Sequence, residues 1–252
     1  MQKPQIEIAS DAQDLAYRMV QLFASTAREA VVSRGVFRTA LSGGHTPELF
    51  FRRLATEPEA KSVPWDKAHV FWVDERYVPP DSPASNYRLA AETFLAQIDI
   101  PQANIHRIPT EYDDMGDAVH AYERTMREVF GLAQGEIPQF DLIVLGMGSD
   151  GHTGSLFPDS YAAYDTDDLA CAVYVTDDAM LNRITLTLPV LLAARRLVVL
   201  VSGREKAQTL QEVLTGEPDQ VRYPIHALWP SIEKVAWLVD REAADPDRSQ
   251  GQ

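Results

Sequence analysis

The chain has 252 residues, 45% of them hydrophobic and 24% charged, which is ordinary for a globular protein with a full core. Its formal charge of −14 argues against nucleic acid and anionic membrane surfaces as partners. It does not exclude a small anionic ligand, because the few groups lining a pocket set the field there.

One cysteine, Cys171, excludes an internal disulfide and a multi-cysteine metal site. It lies in the apolar run Ala170-Cys171-Ala172-Val173, which predicts an inert buried thiol. No apolar run approaches the ~20 residues needed to span a bilayer. The opening residues Gln2, Lys3, Pro4 and Gln5 carry no secretory signal, so a cytoplasmic protein is expected.

Residues 6–9 read as a short strand. Ser10 or Asp11 then caps a helix to about Arg34, with Leu15, Met19, Val20, Leu22, Phe23 and Ala27 at helical spacing and Gly35 as the stop. A second strand, 36–41, leads into Ser42-Gly43-Gly44-His45-Thr46-Pro47, where Pro47 suits the first turn of the next helix. A third strand, 70–73, is followed by Asp74-Glu75-Arg76, read as a charged turn. A helix is expected from about Asn86 to Gln97 and another over 113–130. Residues 142–145 form a buried strand running into glycines at 146, 148, 151 and 154. Short strands follow at 173–175 and 183–188, the latter alternating as a half-buried strand does. A fully apolar strand at 196–201 ends in Ser202-Gly203-Arg204-Glu205-Lys206, a helix runs from about Lys206 to Leu214, and 235–239 is the last strand.

This alternation predicts an α/β protein with a mainly parallel sheet and helices on both faces. A single domain is expected over 1–240, with a disordered tail over 241–252. Strand order and oligomeric state are not readable from the sequence.

Four polar turns each follow an apolar strand, and in a parallel sheet such turns converge on one edge. The Ser42–Thr46 turn has the make-up of an anion cradle, with two glycines, two hydroxyls and a helix N-terminus. It also suits a plain strand-to-helix turn. It matches neither the GxxxxGK[ST] phosphate loop nor a GxGxxG fingerprint. Lys206 at a helix start works against the helix dipole unless an anion sits in front of it. Arg204 is the other local cation. Arg183 and Arg76 suit either a solvated surface or an anion. Asp150 and His152, two apart in a glycine turn, supply a carboxylate and an imidazole for acid–base work, or else satisfy turn backbone groups. No metal-ligand spacing such as HExxH is present, so no metal is expected. His45, His69, His106, His120 and His226 read as ordinary hydrogen-bonded histidines.

Taken together, Ser42-Gly43-Gly44-His45-Thr46-Pro47, Asp74-Glu75-Arg76-Tyr77-Val78-Pro79 with Ser85-Asn86-Tyr87, and the block from Gly146 to Pro158 resemble signatures of the glucosamine-6-phosphate isomerase/6-phosphogluconolactonase family. Arg183 and the segment from Ser202 to Lys206 match its later motifs. The resemblance implies a Rossmann-like fold similar to that of glucosamine-6-phosphate deaminases and ribose-5-phosphate isomerases. The deaminases follow a similar glycine turn with Phe-Asn-Glu-Pro. Phe157 stands here where they carry the Glu, which points to the lactonase side. The lactonase pattern usually has Ala where this chain has Gly154, and the missing methyl is expected to loosen the loop.

By resemblance the reaction is hydrolysis of 6-phospho-D-glucono-1,5-lactone, a sugar-phosphate lactone, in the oxidative pentose phosphate pathway, with no cofactor. Gly43, Gly44, Thr46, Arg183 and Lys206 are then expected to hold the phosphate, with Ser42, Asp74 and Gly148 among the substrate-binding groups. His152 becomes the general base. Asp150 orients it or holds a ring hydroxyl, and Arg76 or turn N–H groups near Gly148 stabilise the oxyanion. A deaminase/isomerase and a non-catalytic sugar-phosphate sensor are the alternatives.

Overall fold

The computed structural model describes residues 4–158, 160–165, 167–175 and 181–245. Its centre is a seven-stranded, wholly parallel sheet. The strands in chain order are β1 (Gln5–Ala9), β2 (Phe37–Leu41), β3 (Ala68–Trp72), β5 (Ile105–His106), β6 (Leu142–Gly146), β9 (Leu197–Val201) and β10 (Val235–Asp240). Their spatial order is β1-β10-β9-β6-β2-β3-β5. Every residue of β9, and Leu142 through Leu145 of β6, is buried, so both faces of the sheet centre are covered.

The helices begin and end where local chemistry requires. In α1 (Ala12–Arg34), Asp11 is the cap and accepts from the Asp14 N–H, and Gly35 at φ +76 closes the end. This helix buries Leu15, Met19, Phe23 and Ala27. α2 (His45–Thr56) follows β2 directly, and α3 (Asn86–Thr93) starts on the Ser85 cap. A separate 3-10 turn, Leu95–Gln97, completes the stretch read as one helix to Gln97. α4 (Met115–Phe130) is capped by Asp114 and pinned to β3, where the buried Tyr122 hydroxyl accepts from Trp72 N–H and donates to Trp72 C=O. α5 (Leu188–Ala193) and α6 (Ala207–Thr215) flank β9 in sequence.

Three expectations are corrected. Asp74–Arg76 is not a turn but a short strand, β4, which pairs antiparallel with β8 (Arg183–Leu186). β8 pairs in turn with β7 (Ala170–Val173), giving a second, three-stranded sheet. β8 is not half-exposed: Ile184, Thr185 and Leu186 are all buried, because this sheet packs into the body of the protein. The expected disorder also fails over its first residues. Arg241–Ala244 is a helical turn, α7, capped by Asp240 and buried at Ala243. The rest of that expected tail, from 246 onward, lies outside the described residues.

Order and connectivity place the functional edge. From β2 the chain moves to β3 and β5 on one side; from β6 it moves to β9 and β10 on the other. The gap between the C-terminal ends of β2 and β6 is therefore a topological switch point, where open α/β sheets leave a crevice. At the opposite end of the sheet, buried Asp141 is paired with Arg34 at 2.8 Å and accepts from the Arg38 N–H, a structural role. Among the described residues no helix is long and apolar enough to cross a membrane.

His69 and His106 stack at 2° and share a ring-nitrogen contact of 2.9 Å. Burial, then the neighbouring His69, pushes His106 down to about 4, and burial lowers His69 too. The unfolded chain therefore binds protons that the folded pair refuses. This contribution to stability is full above the ordinary histidine value of 6.5 and is lost as pH falls toward 4. Urea denaturation at pH 7.5 and 4.5 should show a larger loss for the wild type than for His106→Asn.

Candidate active site

A cleft of about 180 Å³ opens at the switch point. Two of its walls are the turns after β2 and β6. The third comes from the small sheet, whose register sets Arg76 opposite Arg183. The lining includes Ser42, Gly43, Gly44, Thr46, Asp74, Arg76, Gly148, His152, Arg183 and Lys206. Of the expected catalytic and substrate-binding residues only Asp150 does not line it, and the other local cation, Arg204, does not either. Asp150 stands behind His152, and Arg204 is exposed elsewhere.

In the β6 turn, the Asp150 carboxylate lies 2.5 Å from His152 Nδ1 and also accepts from the His152 backbone N–H at 3.2 Å. A carboxylate only accepts, so Nδ1 carries the hydrogen, and in the neutral ring Nε2 keeps its lone pair. Burial pushes the Asp150 carboxyl up, but the hydrogen bond and charge of His152 outweigh it, and the net shift is downward. The turn holds its shape through Gly148 N–H to His152 C=O at 2.9 Å and Gly151 N–H to Gly148 C=O at 3.1 Å. Gly148 N–H is thus occupied within the turn and is no free donor for an oxyanion. What Gly148 provides is space: a methyl there would lie 2.2 Å from the His152 ring.

The same turn is held from outside. Thr209 of α6 donates to Ser149 C=O, Ile225 N–H donates to Gly151 C=O, and Tyr223 packs against Gly151. Gly154 has φ +55, and its neighbours Thr153 and Ser155 are buried and hydrogen-bonded, to Gly146 C=O and the Asp74 carboxylate. The missing methyl therefore leaves no slack, because it would sit 3.1 Å from Val73 and 3.2 Å from Thr185.

The cleft is electropositive in an acidic protein. Arg76, Arg183 and Lys206 face it against one carboxylate, Asp74. Arg183 reaches Asp74 only at 3.7 Å, and its buried Nε has no partner among the described residues. The buried Ser42 hydroxyl also has none among them. Burial lowers the Lys206 pKa, partly offset by Glu205 and Asp240, and Lys206 makes no ion pair among the described residues. Beside them, the N-terminus of α2 presents its first N–H groups after Gly44, at φ +104. Unsatisfied donors, an underneutralised cation set and a helix N-terminus are complementary to a phosphate.

Several cleft residues were not singled out from sequence. Asn86 accepts from Arg76 at 2.5 Å and donates to Asp74 C=O at 2.8 Å. It leaves no room for a side chain at Gly43, whose Cβ would fall 1.9 Å from Asn86 Oδ1. Its place just after the Ser85 cap was the available signal. His45, an exposed cleft residue, had the same signal as the first helical position after a glycine turn. Glu75 lies behind them, buried. It accepts from Ser85 Oγ and from the N–H groups of Arg76, Asn86 and Tyr87, which oppose the upward push of burial on its pKa without cancelling it. Cys171 is buried and burial pushes its thiol up to about 12, as expected of an inert thiol. Among the described residues, no three His, Cys, Asp or Glu side chains gather as a metal site.

Gly148→Ala should drive the His152 ring off Asp150. The NMR signature of the Nδ1–H···carboxylate bond should disappear while the fold persists. A retained signature would show that the turn can accommodate the methyl.

The family model described as glucosamine-6-phosphate isomerases/6-phosphogluconolactonase matches residues 10–237. A 6-phosphogluconolactonase from Synechocystis sp. is 39% identical over 96% of this chain and 98% of its own. One from Nostoc sp. is 37% identical over 96% and 97%. The solved structure of 6-phosphogluconolactonase from Trypanosoma brucei superposes with a TM-score of 0.82 at 28% identity, covering 96% of this chain and 98% of that one. A positively lined crevice at the sheet's switch point, a carboxylate-oriented imidazole and this near full-length similarity lead to one conclusion: the chain belongs to the glucosamine-6-phosphate isomerase/6-phosphogluconolactonase family.

Proposed function

We propose that the protein hydrolyses 6-phospho-D-glucono-1,5-lactone to 6-phospho-D-gluconate, the ring-opening step of the oxidative pentose phosphate pathway. The proposed setting is the cytoplasm, and no cofactor is invoked. The observation that carries the reading is a tautomer-fixed imidazole in the same cleft as an underneutralised cation set.

The phosphate is assigned to the N-terminus of α2 with Gly43, Gly44, Thr46, Arg183 and Lys206. Ser42 Oγ and Arg183 Nε, buried without partners, are satisfied on binding. The anchor fixes the lactone without touching the ester. His152 Nε2 takes a proton from water as the water oxygen adds to the lactone carbonyl. Arg76, held by Asn86 and the Ala84 carbonyl, is the oxyanion donor in this reading. The tetrahedral intermediate then collapses, the bond from the carbonyl carbon to the ring oxygen breaks, and imidazolium returns the proton to that oxygen. Asp150 steadies the imidazolium and does not itself transfer the proton.

Phe157 supports hydrolysis over deamination. It packs against His152 with ring centroids 4.6 Å apart, so an apolar ring occupies the place where ring-opening of an amino sugar would use a second acid.

The direct test is lactone hydrolysis by the purified protein, corrected for the spontaneous reaction. His152→Ala should cost about 10²–10⁴-fold in kcat while phosphogluconate still binds. Unchanged turnover would remove His152 from the mechanism. Asp150 is held below its usual range and stays ionised on the acid side. Loss of turnover as pH falls should therefore track protonation of the imidazole. Lys206→Ala should raise KM strongly with little change in kcat. Because burial lowers the Lys206 pKa, phosphogluconate affinity should weaken with rising pH before the ordinary lysine value of 10.5 is reached.

A further inference from the structure

Phe157 does not line the cleft, yet it touches two groups that do. Its ring centroid is 4.6 Å from that of His152, at 49°. The Arg183 guanidinium carbon lies 5.2 Å from the same centroid. Together with Asp150, Phe157 also lines a neighbouring groove of about 970 Å³, beside Tyr161, Ala172, Val173 and Tyr174. One aromatic side chain thus stands between that groove and the working face of the cleft.

We infer that Phe157 is a positioning residue, whose ring holds the His152 imidazole and the Arg183 guanidinium in fixed relation and walls the cleft off from the neighbouring groove. This rests on the reading of His152 as base and Arg183 as phosphate anchor. The face of an aromatic ring attracts a guanidinium without neutralising it. Arg183 is therefore steadied while its Nε remains unpartnered and its charge remains available to an anion. A carboxylate in the same place would discharge it. For His152, the bond to Asp150 fixes one edge of the ring, and contact with Phe157 fixes the tilt about that edge. Two constraints leave Nε2 a single direction.

Charge around the imidazole comes from several elements. Asp150 lies on its own turn. Asp74 and Arg76 from β4, Arg183 from β8 and Lys206 ahead of α6 line the same cleft. Against that background an aromatic face favours the imidazolium more than an aliphatic one does.

The test compares the full-length wild type with Phe157→Tyr, Phe157→Leu and Phe157→Glu. Three readouts apply: calorimetric binding of inorganic phosphate, NMR titration of the His152 ring, and kcat and KM for the lactone. Phe157→Tyr keeps the ring and should stay within about twofold throughout. Phe157→Leu should weaken phosphate binding by about two- to fivefold, raise KM in step, and move the His152 titration to lower pH. Phe157→Glu should weaken phosphate more than Leu does and move the titration to higher pH. Should Phe157→Leu fail to fold, Phe157→Met carries the same comparison. A folded Leu or Met variant with unchanged phosphate affinity and an unmoved titration overturns the inference, as does a Tyr variant that loses as much as Leu. If the wild type fails to hydrolyse the lactone, the proposed function fails, while phosphate binding and the titration still decide the role of Phe157.

Discussion

Adjacent parallel strands whose chains depart in opposite directions cannot cover the gap between their own ends. β2 and β6 are such a pair, in register from Thr39 opposite Leu142 to Leu41 opposite Val144. The rest of the site depends on that uncovered gap. The β2 turn delivers a helix N-terminus to it, and the β6 turn delivers an imidazole. The third wall needs a second device. β4 leaves β3 at Val73 and pairs antiparallel with β8, which carries Arg183 back across more than a hundred positions of sequence to stand opposite Arg76.

The site stores unfavourable electrostatics that a ligand can relieve. A buried donor without a partner costs about 1–3 kcal/mol. Ser42 Oγ and Arg183 Nε are both in this condition, and burial works against the charge of Lys206. The hydrophobic sheet beneath supports that cost: β6 and β9 are buried almost residue for residue. The overall charge of −14 says nothing of this, because the cleft, with three cations and one carboxylate, carries the opposite sign.

Close packing explains why small residues recur around the imidazole. Gly148 lets the His152 ring fold over the turn, and Gly43 makes room for the Asn86 side chain that holds Arg76. Gly151, at φ +77, lies under Tyr223. Each glycine serves a specific neighbour, so the turn is a packed object and not a flexible loop. Asp150 and Phe157 complete it from the two remaining sides.

Local patterns carried much of the fold. Apolar runs marked the central strands, Asp11 and Gly35 bounded the first helix, and the convergence of strand-end turns followed from a parallel sheet. Glycines, acid and imidazole in the β6 turn were legible because the chemistry there is contiguous: Asp150 and His152 are two residues apart. Strand order was not legible, since it depends on which buried faces fit together and not on any local preference. For the same reason β4 passed for a turn: three charged residues form a strand only because β8 supplies the hydrogen-bond partners. The contacts of Asn86 with Gly43 and of Phe157 with Arg183 were also out of reach, because they join residues distant in sequence. The sequence by itself determined which side chains could hold an anion and move a proton. The tertiary structure decided which of them meet, because long-range pairing and packing, not local propensity, set those distances.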